Sequence, residues 1–256
     1  MSDLSPALET HGLRKLFGDL VAVDGIDLTV PRGSFYGFLG PNGAGKSTTI
    51  KCLTGLLAPT AGTYRILDLD PLRDPVAVKR KVGVVPEDLA LFDRLSGAET
   101  LAFVGRVHGL ATADVRSRST ELLQLMDLER AAGDLVADYS HGMRKKIALA
   151  AALLPAPRML FLDEPFEGID AVASRQIKDL LTAFVKGGGT VFLTSHILEI
   201  VDRLCDHIGI IRKGRVVAQG PIAELRGSTG ASLEERFLEL VGADRAAAPA
   251  LDWLAR

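Results

Sequence analysis

Between an apolar pentapeptide, Phe35–Leu39, and a segment with helical spacing, Lys46–Leu57, the chain reads Gly-Pro-Asn-Gly-Ala-Gly-Lys-Ser over residues 40–47. A strand, a glycine-rich loop and a helix in that order constrain the fold more than any other feature, because such a unit belongs to a sheet whose strands are joined by crossover helices. Gly40, Gly43 and Gly45 give the backbone conformations that other residues resist, so that successive N–H groups and a helix N-terminus point at a phosphate. In such a loop Lys46 reaches the β- and γ-phosphates of a nucleotide. Ser47 offers its hydroxyl to Mg²⁺, whose small octahedral shell is completed by phosphate oxygens and waters. The pattern predicts ATP binding.

A chain of 256 residues can bury a sizeable core, as one large domain or one carrying a smaller inserted lobe. Thirty basic and thirty-two acidic residues leave a net charge of −2, so nothing global points to nucleic acid or to an anionic membrane. Cys52 and Cys205 lie far apart without metal-ligand spacing, as expected of reduced, buried thiols in a cytoplasmic protein. The opening MSDLSPALETHG does not read as a leader, and the uncharged apolar segment Ile147–Leu154 is too short to span a bilayer. A soluble protein is expected, one that would work at a membrane only by docking onto another polypeptide.

Along the chain, Leu8–Leu39 breaks into apolar or alternating runs punctuated by Gly and Pro, predicting short strands. Gly62–Leu67 and Val82–Val85 read as further strands. From about Asp88 to Leu154 the spacing turns helical, over Ala98–His108, Thr112–Met126 and Met143–Leu154. Strand-like runs return at Met159–Leu162, Thr190–Thr194 and Ile208–Ile211, with a helix over Ala171–Lys186 among them. A last strand pair is expected around Lys213-Gly214 and a short amphipathic helix over Ser232–Val241. The alternation predicts an α/β fold with a mostly parallel sheet, an antiparallel β subdomain at the N-terminal end and an inserted helical lobe. The expected division is a nucleotide-binding core at 1–87 and 155–241, the lobe at 88–154, and an Ala-rich tail at 242–256.

Met159–Leu162 ends in Asp163-Glu164-Pro165, so two carboxylates emerge where a buried strand meets its loop, the edge where open α/β sheets bind ligands. One reading gives Asp163 the Mg²⁺ shell and Glu164 the attacking water; the other has Glu164 cap a helix beginning at Pro165. Ser140 and Gly142 open a helix that runs through Arg144, Lys145 and Lys146, either as a second anion site or as an N-cap with a solvated basic face. His196 follows a strand, as a structural residue or as a group near the γ-phosphate that senses its presence.

Taken in order, GPNGAGKST at Gly40–Thr48, YSHGM at Tyr139–Met143, LFLDEP at Leu160–Pro165, GID at Gly168–Asp170 and Ser195-His196 resemble the nucleotide-binding subunit of ATP-binding cassette (ABC) transporters, from about Leu8 to Val241. The resemblance implies an ATP- and Mg²⁺-dependent ATPase that drives a separate integral-membrane permease, lying peripherally on the inner face of the cell membrane. It implies a head-to-tail dimer, with a second copy as the expected partner and no nucleic acid. Each ATP would be clamped between the phosphate loop of one subunit, including Asn42, Ala44 and Thr48, and Ser140 and Gly142 of the other. It further implies that Phe17 stacks on adenine, although Phe17 reads equally well as core. Asp170 would lie in the loop carrying signals across the dimer, Glu164 would be the catalytic base, and His196 the switch reading the γ-phosphate.

Two departures stand out. Glu87, after Val84-Val85-Pro86, occupies a position where the family usually has a Mg²⁺-contacting glutamine. A carboxylate still ligates Mg²⁺, and its extra charge is expected to slow hydrolysis or make it more partner-dependent. YSHGM replaces leucine-serine-glycine-glycine-glutamine but retains Ser140 and Gly142. Leu89–Phe92, within Asp88–Leu95, either anchor a permease helix or pack inside the lobe. The short ending after Leu233–Gly242 resembles exporters, making export the expected direction. The rivals are a soluble ABC protein acting on ribosomes or nucleic acid, disfavoured by the single phosphate loop, and a subunit binding ATP without turnover, disfavoured by Glu164.

Overall fold

A computed structural model describes residues 5–226 and 232–242. Three strands, β1 (Leu8–Phe17), β2 (Leu20–Val30) and β4 (Ala61–Ile66), form an antiparallel sheet in the order β2-β1-β4. The main sheet has the order β5-β6-β7-β3-β8-β9. Its members are β3 (Phe35–Leu39), β5 (Val82–Val85), β6 (Met159–Asp163), β7 (Thr190–Ser195), β8 (His207–Arg212) and β9 (Arg215–Pro221). Neighbours run parallel except β9, which turns back on β8 through Lys213-Gly214, as the strand pair expected there.

Strand alternation divides the core. On β3, Phe35 and Leu39 face one apolar cluster while Tyr36 and Phe38 face another; on β6, Leu160 and Leu162 oppose Met159 and Phe161 in the same way. The second cluster continues through Leu13, Val23 and Ile26 of the small sheet and Ile50 of α1 (Lys46–Leu53). There Phe192 stacks on Tyr36 with centroids 5.5 Å apart and lies 5.4 Å from Phe38. Removing a fully buried aromatic of this kind typically costs ~3–5 kcal/mol. The first cluster is covered by α5 (His141–Leu153), α6 (Ala171–Lys186), α7 (Leu198–Leu204) and α9 (Leu233–Val241).

Helix α2 (Pro75–Lys79) precedes β5. Between β5 and β6 the chain forms α3 (Gly97–Val107), α4 (Thr112–Leu125) and α5, and α8 (Ile222–Arg226) follows β9. Some expected boundaries shift for local reasons. Helix α1 stops at Leu53 rather than Leu57, because Gly55 turns left-handed at φ 74° and the N–H groups of Leu56 and Leu57 both close on the Lys51 carbonyl. Helix α5 begins at His141, two residues before Met143, because Ser140 caps it by accepting from the Met143 N–H. Cys52 and Cys205 are buried free thiols. Among the described residues no helix is long and apolar enough to cross a membrane. The expected tail at 242–256 lies, beyond Gly242, outside the described residues.

Candidate active site

The phosphate loop leaves the C-terminal end of β3, at the carboxyl edge of the parallel strands. Two of its glycines are required by contact. A Cβ at Gly40 would stand 2.5 Å from the Ile211 carbonyl oxygen, and Gly45, at φ 111°, would bring one within 2.5 Å of the Ala22 carbonyl oxygen. Lys46 is buried, donating to the Gly40 carbonyl at 2.9 Å with Nζ 3.6 Å from Glu164 Oε1.

Asp163 ends β6 and is 1% exposed. Its Oδ1 accepts from Thr194 Oγ1 at 2.5 Å and from Ser47 Oγ at 3.2 Å. Among the described residues nothing donates to the buried Oδ2. A buried carboxylate oxygen without a donor is costly unless a cation completes it. Ser47 Oγ also lies 3.4 Å from Glu87 Oε2, so two carboxylates and a hydroxyl converge beside the phosphate loop. Such a hard-oxygen set fits Mg²⁺.

Glu164 does not begin a helix. It has φ 47°, residues 165–168 form a turn, and the next helix, α6, starts at Ala171 with Asp170 as its cap. The left-handed backbone aims the buried carboxylate across the cleft: Oε2 lies 3.0 Å from His196 Nδ1 and accepts from the His196 N–H at 3.3 Å. The residue is tied at both ends, its N–H donating to Thr194 Oγ1 at 3.0 Å and its carbonyl accepting from Lys145 Nζ at 2.7 Å.

The Arg144-Lys145-Lys146 run is therefore not a solvated face. Lys145 and Lys146 are 3% and 8% exposed, and each lies four residues before a buried apolar residue of α5, Leu149 and Ala150. That spacing was the available signal. Burial pushes the Lys145 ammonium below its usual value, while Glu167, Glu164, Glu87 and Asp163 pull it back. Thr194 gave no sequence signal beyond its place in a strand.

A cleft of about 530 Å³ brings together Phe17, Asn42, Gly43, Gly45, Lys46, Ser47, Thr48, Glu87, Glu164 and His196, with Glu167 and Leu20–Ala22 on its wall. Asp163 and Ala44 are buried, and Gly40 is packed against Ile211. Phe17 is 45% exposed, not core, with Lys15 Nζ 5.0 Å from its ring centre. Ser140, Gly142 and Asp170 do not line the cleft. They meet at the N-termini of α5 and α6, where a Cβ on Gly142 would lie 3.9 Å from Asp170 Oδ2. Bonding to the Ala173 N–H lowers the pKa of the Asp170 carboxyl.

A separate groove of about 650 Å³ runs beside β5 and α3, walled by Leu89–Phe92, Phe103, Val104 and Val107. Leu89 and Leu91 pack partly into the core, whereas Phe92 and Phe103 meet edge to face at 5.1 Å and are 56% and 43% exposed. The packing reading thus holds for Leu89 and Leu91, while Phe92 is left exposed on the groove.

A strand–loop–helix unit with one strand-end carboxylate, Glu164, on its cleft and the other, Asp163, bonded to the loop's Ser47 defines a phosphate-loop nucleotide hydrolase. Residues 23–167 match the family described as ABC transporter, and the chain belongs to that family, as its motif order suggested. It is 42% identical over 227 residues to the daunorubicin/doxorubicin resistance ATP-binding protein DrrA of Streptomyces peucetius, covering 89% of this chain and 69% of that protein. It is 40% identical to the Nod factor export ATP-binding protein I of Cupriavidus metallidurans, covering 87% of this chain and 73% of that one. A solved ATP-binding cassette, in a dimeric post-hydrolysis state bound to ADP and Pi, superposes with a TM-score of 0.74 at 26% identity, over 84% of this chain and 98% of that one. The chain is an ATP-binding, ATP-hydrolysing subunit of the ABC transporter class.

Proposed function

We propose that this subunit binds Mg²⁺ and ATP between Phe17 and Glu164, closes on a second copy when ATP is bound, hydrolyses it with Glu164 as base, and thereby drives export through a separate membrane permease. The observation that carries this reading is the convergence of Lys46, Ser47 and Glu164 on one cleft, with buried Asp163 bonded to Ser47 behind it. Lys46 neutralises the β- and γ-phosphates, and the loop N–H groups cradle them. Ser47, Asp163 and Glu87 would hold Mg²⁺, which supplies charge neutralisation across the transferred phosphate. Glu164, held by His196, orients the attacking water and takes its proton. The exposed face of Phe17 receives adenine.

Ser140, Gly142 and Asp170 complete the neighbouring copy's site. Gly142 has no positive φ, and a Cβ there would make only ordinary contact, 3.6 Å from the Ala173 Cβ. Alanine would serve α5 better by up to about 1 kcal/mol, so packing in this chain gives no reason for a glycine. A ligand approaching from outside does. Contacts to the γ-phosphate made only in the closed pair shift the population toward closure on binding, and hydrolysis releases it. The dimeric solved cassette supports this arrangement.

Residues 1–87 and 155–241 act as the nucleotide-binding core and 88–154 as the lobe whose groove takes a permease helix, on Phe92 and Phe103. Docking there would hold the chain on the inner face of the membrane. Relatives named for drug resistance and Nod factor export support export as the direction. The test is purification of the tagged protein from native membranes in mild detergent with ATP present. A polytopic membrane protein at equal stoichiometry is expected; ribosomal or nucleic-acid partners without one would replace this reading with the soluble rival.

A further inference from the structure

Lys145 buries an ammonium to reach a backbone carbonyl, an expensive way to fill a space that an apolar side chain could occupy. The carbonyl belongs to Glu164, whose left-handed φ of 47° is unfavourable for a residue with a side chain and persists only where its surroundings enforce it. Thr194 Oγ1 takes the N–H of that residue at 3.0 Å, and Lys145 Nζ takes its carbonyl at 2.7 Å. A relaxed backbone at Glu164 would swing its carboxylate away from Lys46 and His196. The helix bearing Lys145 is also held through the preceding residue, where Arg144 donates to Asp93 Oδ1 at 2.8 Å and to the Val136 carbonyl at 2.9 Å.

We propose that Lys145 is a positioning residue for hydrolysis: by binding the Glu164 carbonyl it holds the strained Glu164 backbone, and with it the aim of the carboxylate at the attacking water. The proposal rests on the reading of Glu164 as base. It also makes α5, which carries Ser140 and Gly142 at its start, a mechanical link to the catalytic carboxylate of its own chain. Lys145 does not line the nucleotide cleft, so its loss is expected to change turnover and spare ATP affinity.

The experiment uses the full chain with Lys145→Met, which keeps the stem, and Lys145→Arg, which keeps a donor. For each, kcat and KM for ATP, nucleotide affinity, Tm and amide hydrogen exchange over Phe166–Gly168 are measured. Lys145→Met is expected to lower kcat about 10- to 100-fold, leave nucleotide affinity within twofold, and speed exchange in that turn about fivefold or more while other segments keep the parent pattern. Lys145→Arg is expected to recover most of the lost turnover. Turnover within twofold of the parent in a folded Lys145→Met protein, a loss of affinity matching the loss of kcat, or an Arg variant no better than Met would each overturn the proposal. Glu164→Gln is run alongside. If it hydrolyses ATP at the parent rate, the base assignment fails, and the exchange data alone then decide whether Lys145 holds the turn.

Discussion

Two helix N-termini on this chain suit a phosphate, and they differ in how fully the chain itself accounts for them. At α1 the glycines are explained internally: Gly45 needs its φ of 111°, its missing Cβ makes room for the Ala22 carbonyl, and Lys46 is sealed beside Glu164. At α5, Ser140 is exposed and spends its hydroxyl on its own helix, while Gly142 has neither strain nor crowding to justify it. In the proposed dimer the first is one half of a site and the second the complement of another. Gly142 is where the neighbouring copy's nucleotide would come close in that dimer.

The strongest way to break the comparison is to disable the first half. Lys46→Ala is expected to weaken ATP binding about 100-fold or more, some 3 kcal/mol, by removing a buried charge from the phosphates. Fluorescent-nucleotide titration checks this, and unchanged affinity would remove the phosphate-loop assignment. Gly142→Val sharpens the contrast from the other side. The variant should fold with a Tm within a few degrees of the parent and bind ATP as an isolated subunit with parent affinity, yet turn over about 10-fold more slowly or worse. A variant that hydrolyses normally would mean that nothing approaches α5. The smallest effect is expected at Glu87, where Gln removes one charge beside the phosphates; steady-state rates should rise about two- to fivefold. Identical rates and unchanged partner coupling would discard a role for that carboxylate.

Features set by short-range chemistry were readable without coordinates. The phosphate loop, the buried strand ending in Asp163 and the span of α6 follow from glycine placement and hydrophobic period, and each lies where expected. What escaped depends on residues far apart in the chain. The left-handed turn at Glu164 exists because Thr194 and Lys145 grip it, about thirty and nineteen positions away. Nothing in Asp-Glu-Pro reveals that grip. Charge alone reads the basic run of α5 as a solvated face; the four-residue spacing to Leu149 and Ala150 places Lys145 and Lys146 inward. Helix α1 ends short of its apolar period because Gly55 is a C-terminal stop signal.

The proposed mechanism requires two incomplete sites to close around ATP. The most direct measurement is the mass of the Glu164→Gln protein in solution, by sedimentation or light scattering at tens of micromolar, with and without ATP and Mg²⁺. A monomer that becomes a dimer holding two ATP molecules, with hydrolysis suppressed, is the expected result. A variant that binds ATP and remains monomeric throughout would contradict the shared site.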